Sequence, residues 1–113
     1  MKYRIETLPG FDRKVKKLAK KYKSLKEDLK ELVNELIQNP TIGVDLGNGV
    51  HKVRMAISDK GKGKSHGARV ITHTAIISVE EGVVTFLAIY DKAEQDTITA
   101  REISCLIKEL EES

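Results

Sequence analysis

VHKVRMAISDKGKGKSHGARVITHT, residues 50–74, is the stretch from which the fold can be read. Lys52, Arg54, Lys60, Lys62, Lys64 and Arg69 lie in it against a single acid, Asp59. Val53, Met55 and Ile57 alternate with Lys52, Arg54 and Ala56, the period of a half-buried strand with one face on a core and the other presenting cations. Residues 68–74 are β-branched and apolar and form the expected partner strand. Between them, Gly61-Lys62-Gly63-Lys64 joins a mobile backbone to amine donors, a combination suited to phosphate. The plainer alternative is a solvated hairpin tip that keeps the chain soluble.

On the N-terminal side, residues 2–8 alternate as a short strand that Pro9-Gly10 ends. A helix is expected from Phe11 or Asp12, with Asp12 as N-cap and Val15, Leu18, Ala19 and Tyr22 on its apolar face. Ser24 with Glu27 reads as a capping box opening a second helix, whose stripe is Leu25, Leu29, Leu32, Val33, Leu36 and Ile37. So short a break implies an antiparallel helical hairpin. Asn39-Pro40 stops the second helix, and residues 41–49 read as a glycine-rich loop. On the C-terminal side, Glu80-Glu81-Gly82 makes a turn and residues 83–90, the most apolar run, form a central strand. A polar link over residues 92–97 leads to a second capping box, Thr99 with Glu102, and a final helix on Ile103, Leu106, Ile107 and Leu110. The fold class is therefore α+β: an N-terminal strand, a helical hairpin, an antiparallel sheet of about four strands and a C-terminal helix.

A chain of 113 residues makes one domain, 1–113, with room for one core. Net charge is +3, and the charge is segregated. Residues 13–26 hold eight basic residues and no acid. That run puts Lys17, Lys20 and Lys21 on a helix face suited to RNA or an acidic protein. The lone Cys105 cannot form an internal disulfide, which fits a reducing cytoplasm, and among Ile103, Leu106 and Ile107 it is expected to be a small core residue. No apolar run approaches a membrane span and the N-terminus lacks a signal-peptide core. His51, His66 and His73 have no accompanying cysteine in their stretch, and no CxxC or HExxH spacing occurs, so neither a metal nor another cofactor is expected. Aromatic residues make up only 4% of the chain, which argues against a free-standing single-strand RNA binder built on stacking.

The segments KKLAKKYKSLKEDL (16–29), KVR (52–54), GKGKSHGARVI (61–71) and YDKAEQDTIT (90–99) resemble, in that order and spacing, the RelE/HigB family of bacterial toxin endoribonucleases. The likeness covers nearly the whole chain. It implies a RelE-like fold and a ribosome-dependent mRNA endonuclease. It implies a cognate antitoxin of HigA or RelB type carrying a DNA-binding part. The chain departs from the family in having His66-Gly67 in place of Gly-Gly, Thr72-His73 in place of Tyr-Tyr, and Thr97 in place of Asp.

Cleaving RNA through its own 2′-hydroxyl needs a base, cations around the anionic phosphorane, and an acid for the leaving 5′-oxygen. Arg54 and Arg69 suit the cationic role. Lys52, Lys62, Lys64 and Lys92 are candidates for base, acid or clamp, and Lys60 and Lys62 for RNA contact. Tyr90 can donate a proton or stack on a base. Imidazole titrates near neutrality by itself, and strand parity puts His73 on the Arg69 face; the other role for His73 is a half-buried sheet residue. The alternatives to the nuclease are a ParE-like toxin of the same fold acting on DNA gyrase, which would not need this basic cluster, and a catalytically degenerate member.

Overall fold

The computed structural model describes residues 1–112. The elements are β1 (Lys2–Thr7), α1 (Pro9–Lys21), α2 (Leu25–Gln38), β2 (Val44–Gly47), β3 (Val50–Met55), β4 (Ala68–Ile76), β5 (Glu81–Asp91) and α3 (Ala100–Glu112), with two 3-10 turns, Ser58–Lys60 and Lys64–His66, between β3 and β4. The five strands form one mixed sheet in the order β1-β5-β4-β3-β2. The expected antiparallel meander is present from β3 to β5, and β2 extends it antiparallel to β3. The N-terminal strand joins it parallel to β5, Lys2 opposite Glu81 and Thr7 opposite Phe86. A parallel pair needs a long crossover, and the two helices and three strands between β1 and β5 supply it.

The helical hairpin covers one face of the sheet. Phe11, Leu18, Leu25, Leu32 and Leu36 pack there on Val53, Met55, Val70, Val84, Phe86 and Ile89. Leu25 and Leu36 are completely buried, each contributing roughly 1.5–3 kcal/mol of apolar transfer. Phe11 and Phe86 pack with tilted rings, centroids 5.1 Å apart. The opposite face carries a smaller core of Leu8, Val50, Ile71, Leu87 and Tyr90 under Ile98, Ile103, Leu106 and Ile107. Helix α3 contributes no fully buried residue to it.

Several local expectations change in the folded chain. Helix α1 starts at Pro9 with Leu8 as N-cap, because proline needs no N–H partner in a first turn. Asp12 instead accepts the Thr7 hydroxyl at 3.0 Å. Ser24 does not close a box with Glu27. Its hydroxyl donates to Asp28 at 2.9 Å and accepts the Asp59 N–H at 3.0 Å, tying α2 to the turn after β3. Part of the expected loop at 41–49 is the edge strand β2, turned into β3 through Asn48 at φ 55° and Gly49 at φ 79°. Cys105 is exposed rather than part of the core, since α3 rides over β5 without sinking into it. The second capping box forms as read: Glu102 N–H to Thr99 Oγ1 and the Thr99 N–H and hydroxyl to Glu102 Oε1, all within 3.3 Å.

Candidate active site

Register decides which charged residues meet. Arg54 on β3 lies opposite Arg69 on β4, and Arg69 lies opposite Tyr90 on β5. Directly opposed residues share a face, so these three make one row across the sheet on the α3 side. Lys52, two residues from Arg54, shares their face in the next row, opposite Ile71. Tyr90 reaches this face because of a register break between β4 and β5. Ile71 pairs with Ala88 and Thr72 with Phe86, so Leu87 is an extra residue on β5. Val84 and Phe86 point to the helical hairpin before it, and Ile89 does so after it. The bulge therefore turns Tyr90 to the α3 face and Asp91 to the hairpin face.

The row is not uniformly accessible. Arg54 is exposed and Arg69 is only 6% exposed. The Arg69 guanidinium donates to the carbonyls of Lys64 (3.2 Å), Ser65 (3.1 Å) and Ala68 (3.3 Å). Arg69, expected in the cationic role, is thus a buried anchor for the glycine–lysine loop. Gly67 allows that loop to lie flat, since a Cβ there would strike the Met55 carbonyl and the Ile57 nitrogen. Tyr90 is buried, and its hydroxyl has no partner among the described residues. It borders a groove of about 440 Å³ under α3, with Thr99, Glu102, Cys105 and Leu106 on the other wall. Burial pushes the phenol pKa upward; Arg69 opposes this, and Asp96 and Glu102 add to it.

Lys52, Arg54 and Lys64 line one depression of about 350 Å³ where the segment entering β2 meets β3, together with Glu35 of α2. Lys64 and Glu35 approach to 3.8 Å, both largely exposed. Glu35 has no sequence signal beyond a polar position on α2. The other predicted residues lie elsewhere. His73 has the predicted parity but sits four residues along β4 from Arg69, roughly 13 Å at the strand rise, against Val50, Thr85 and Gly49. Lys92 donates to the Asp96 carboxylate at 2.7 Å and its carbonyl at 2.6 Å, and that cation holds the Asp96 carboxyl below its ordinary value. Lys62 and Lys92 border a second cleft beyond the loop, with Tyr22, Lys60, His66 and Ala93. Lys17 and Lys20 stay on the exposed face of α1, whereas Lys21 pairs with Glu94 at 3.2 Å.

Asp91, a site residue that the sequence reading missed, is completely buried. It accepts Lys60 Nζ at 2.6 Å, the Tyr22 hydroxyl at 2.7 Å and the Ala93 N–H at 2.9 Å. Burial alone would raise its pKa, but these donors, Lys60 first, hold it below the ordinary carboxylate value. Lys60 also donates to the His66 carbonyl at 2.9 Å. The expected RNA-contacting lysine is thus an internal counter-ion whose side chain is 12% exposed. A signal for this existed: an acid ending the most apolar strand must find a cation and donors to be buried.

A family model described as RelE toxin of the RelE / RelB toxin–antitoxin system matches residues 11–112. A solved structure of the E. coli toxin RelE, an arginine-to-alanine double mutant in the free state, superposes with a TM-score of 0.60 over 96% of this chain and 97% of that one, at 17% identity. That likeness establishes a shared fold. No curated protein sequence matches the chain. Among the described residues no helix is long and apolar enough to cross a membrane, and no cluster of three metal-ligating side chains occurs.

Proposed function

The chain belongs to the RelE toxin family, the toxin half of a toxin–antitoxin pair, and from that premise we propose that it is an endoribonuclease that cuts mRNA on the ribosome and so stops translation. The observation that carries this reading is the convergence of Lys52, Arg54 and Lys64 on one depression beside the Arg54–Arg69–Tyr90 row. Three cationic side chains in one depression suit the charge that builds on a phosphorane. In this reading Arg54 grips the scissile phosphate, because its fork is exposed and binds two oxygens at once. Lys52 and Lys64 take up the added charge and the proton transfers, with Glu35 within reach as base. Arg69 is a positioning residue that fixes the loop bearing Lys64. Tyr90, kept protonated by its surroundings, is a donor on the same row.

The partners in this reading are the ribosome, mRNA and an antitoxin of RelB or HigA type with a DNA-binding part, all in the cytoplasm. The exposed cations of α1, Lys17 and Lys20 among them, face RNA in the free toxin and the antitoxin in the complex. The association rate with that antitoxin should fall as salt rises, and a flat salt profile would remove electrostatic docking. The test of the function is induction of the toxin alone. Translation should halt before DNA synthesis, and the purified protein should cut mRNA on programmed ribosomes. An SOS response with translation intact would replace this reading with one in which DNA gyrase is the target.

A further inference from the structure

Two charged side chains hold the loop between β3 and β4 from beneath. Arg69 donates to the carbonyls of Lys64 and Ser65, and Lys60 donates to the carbonyl of His66. Three consecutive carbonyls are thereby turned inward, and the loop's side chains fall to its two flanks. Lys64 lines the depression shared with Lys52 and Arg54. Lys62 and His66 line a separate cleft of about 370 Å³ whose other walls are Tyr22, Lys92 and Ala93.

Most cations of this second cleft are already matched. Lys60 is paired with Asp91 and Lys92 with Asp96. Lys62 and His66 are exposed, and no side-chain hydrogen bond or ion pair engages either one among the described residues. The cleft thus offers one free ammonium, one free imidazole and the half-buried ring of Tyr22, on a floor fixed by a buried ion pair. It lies beside the end of β5, with Lys92 and Ala93 just past the strand.

We infer that this cleft is a second phosphate subsite, in which Lys62 and His66 hold the backbone of single-stranded RNA next to the scissile phosphate. The inference rests on the nuclease reading for its substrate. RNA fits the cleft better than an acidic peptide does. One loop walls both the depression and the cleft, so a strand with regularly spaced phosphates can lie across it, and the imidazole offers a flat face to a base. The role of the subsite is uniform binding: it holds the strand equally before and during the reaction.

The probe is a short 2′-O-methyl single-stranded RNA, which has no 2′-hydroxyl to attack and so cannot be cut. Its affinity for wild type and for Lys62→Ala/His66→Ala is measured across salt concentrations. Both side chains are exposed, so the double variant should melt with wild type. Binding should weaken severalfold to about tenfold, and the salt slope should fall by about one. On programmed ribosomes, cleavage at subsaturating ribosome concentration should slow severalfold. Unchanged RNA affinity in the variant overturns the subsite. So does a variant-sensitive cleft that takes an acidic peptide but not RNA. If wild type fails to cut ribosome-bound mRNA, the nuclease reading falls while the RNA titration still decides the cleft; if wild type cuts and the variant binds and cuts equally well, the cleft alone falls.

Discussion

Arg54 and Arg69 face each other across β3 and β4, yet one points its guanidinium to solvent and the other uses it on the carbonyls of Lys64, Ser65 and Ala68. Two arginines in one register position thus have separate tasks. Placing like charges opposite each other is unfavourable, and the carbonyl oxygens around Arg69 offset that repulsion.

The division predicts opposite phenotypes. Arg54→Ala should slow single-turnover cleavage on the ribosome by on the order of a hundredfold or more, the usual loss for one such donor, with little change in melting. Arg69→Ala should lower the melting temperature by roughly 5–15 °C, from charge-assisted hydrogen bonds of about 1.5–3 kcal/mol. Arg69→Lys should recover part of that, since one amine cannot span carbonyls that a planar fork reaches together. Equal melting of Arg69→Ala and wild type would remove its anchoring role.

Asp91 predicts a pH dependence. Its folded pKa is depressed, so its stabilising contribution is complete above the unfolded value of about 4 and is lost as pH falls through the folded value. Asp91→Asn leaves Lys60 without its counter-charge and should cost roughly 3–5 kcal/mol at neutral pH. Urea midpoints measured from pH 7 downward should converge for wild type and variant in acid. A gap that stays constant would contradict the ionised Asp91–Lys60 pair.

Tyr90→Phe separates chemistry from packing. The buried hydroxyl has no hydrogen-bond partner among the described residues, so removing it should leave stability unchanged or slightly higher. If the phenol donates a proton in the reaction, cleavage should fall by roughly 10²–10⁴. A variant that melts and cuts like wild type would take Tyr90 out of the mechanism.

Local pattern made much of this molecule legible. Alternation located β1 and β3, β-branched and apolar runs located β4 and β5, apolar spacing located all three helices, and Thr99 with Glu102 closed the predicted box. These are short-range effects, in which a residue and its third or fourth neighbour suffice. Strand β2 has no local signature, because Gly43, Gly47 and Gly49 in and around it resemble a loop and only pairing with β3 orders it. The direction of β1 is unmarked for a similar reason: Tyr3 and Ile5 alternate identically whether their partner runs parallel or antiparallel. In the candidate site, Lys52, Arg54 and Lys64 line one depression. Arg69 and Lys60 carry no local mark of burial, and only the tertiary fold makes one a loop anchor and the other an internal counter-ion.

Residue pattern alone specifies the helices, the cationic strand β3 and the loop that carries Lys62, Lys64 and His66. Tertiary structure decided which face each residue at the end of β5 would occupy. Leu87 is one residue too many against β4. A strand repeats every two residues, so a single extra residue exchanges the faces of all that follow. That exchange sets Tyr90 opposite Arg69 and sends Asp91 through to Tyr22 and Lys60. Nothing within residues 83–91 specifies the slip, because the bulge is a property of two strands packed between two cores.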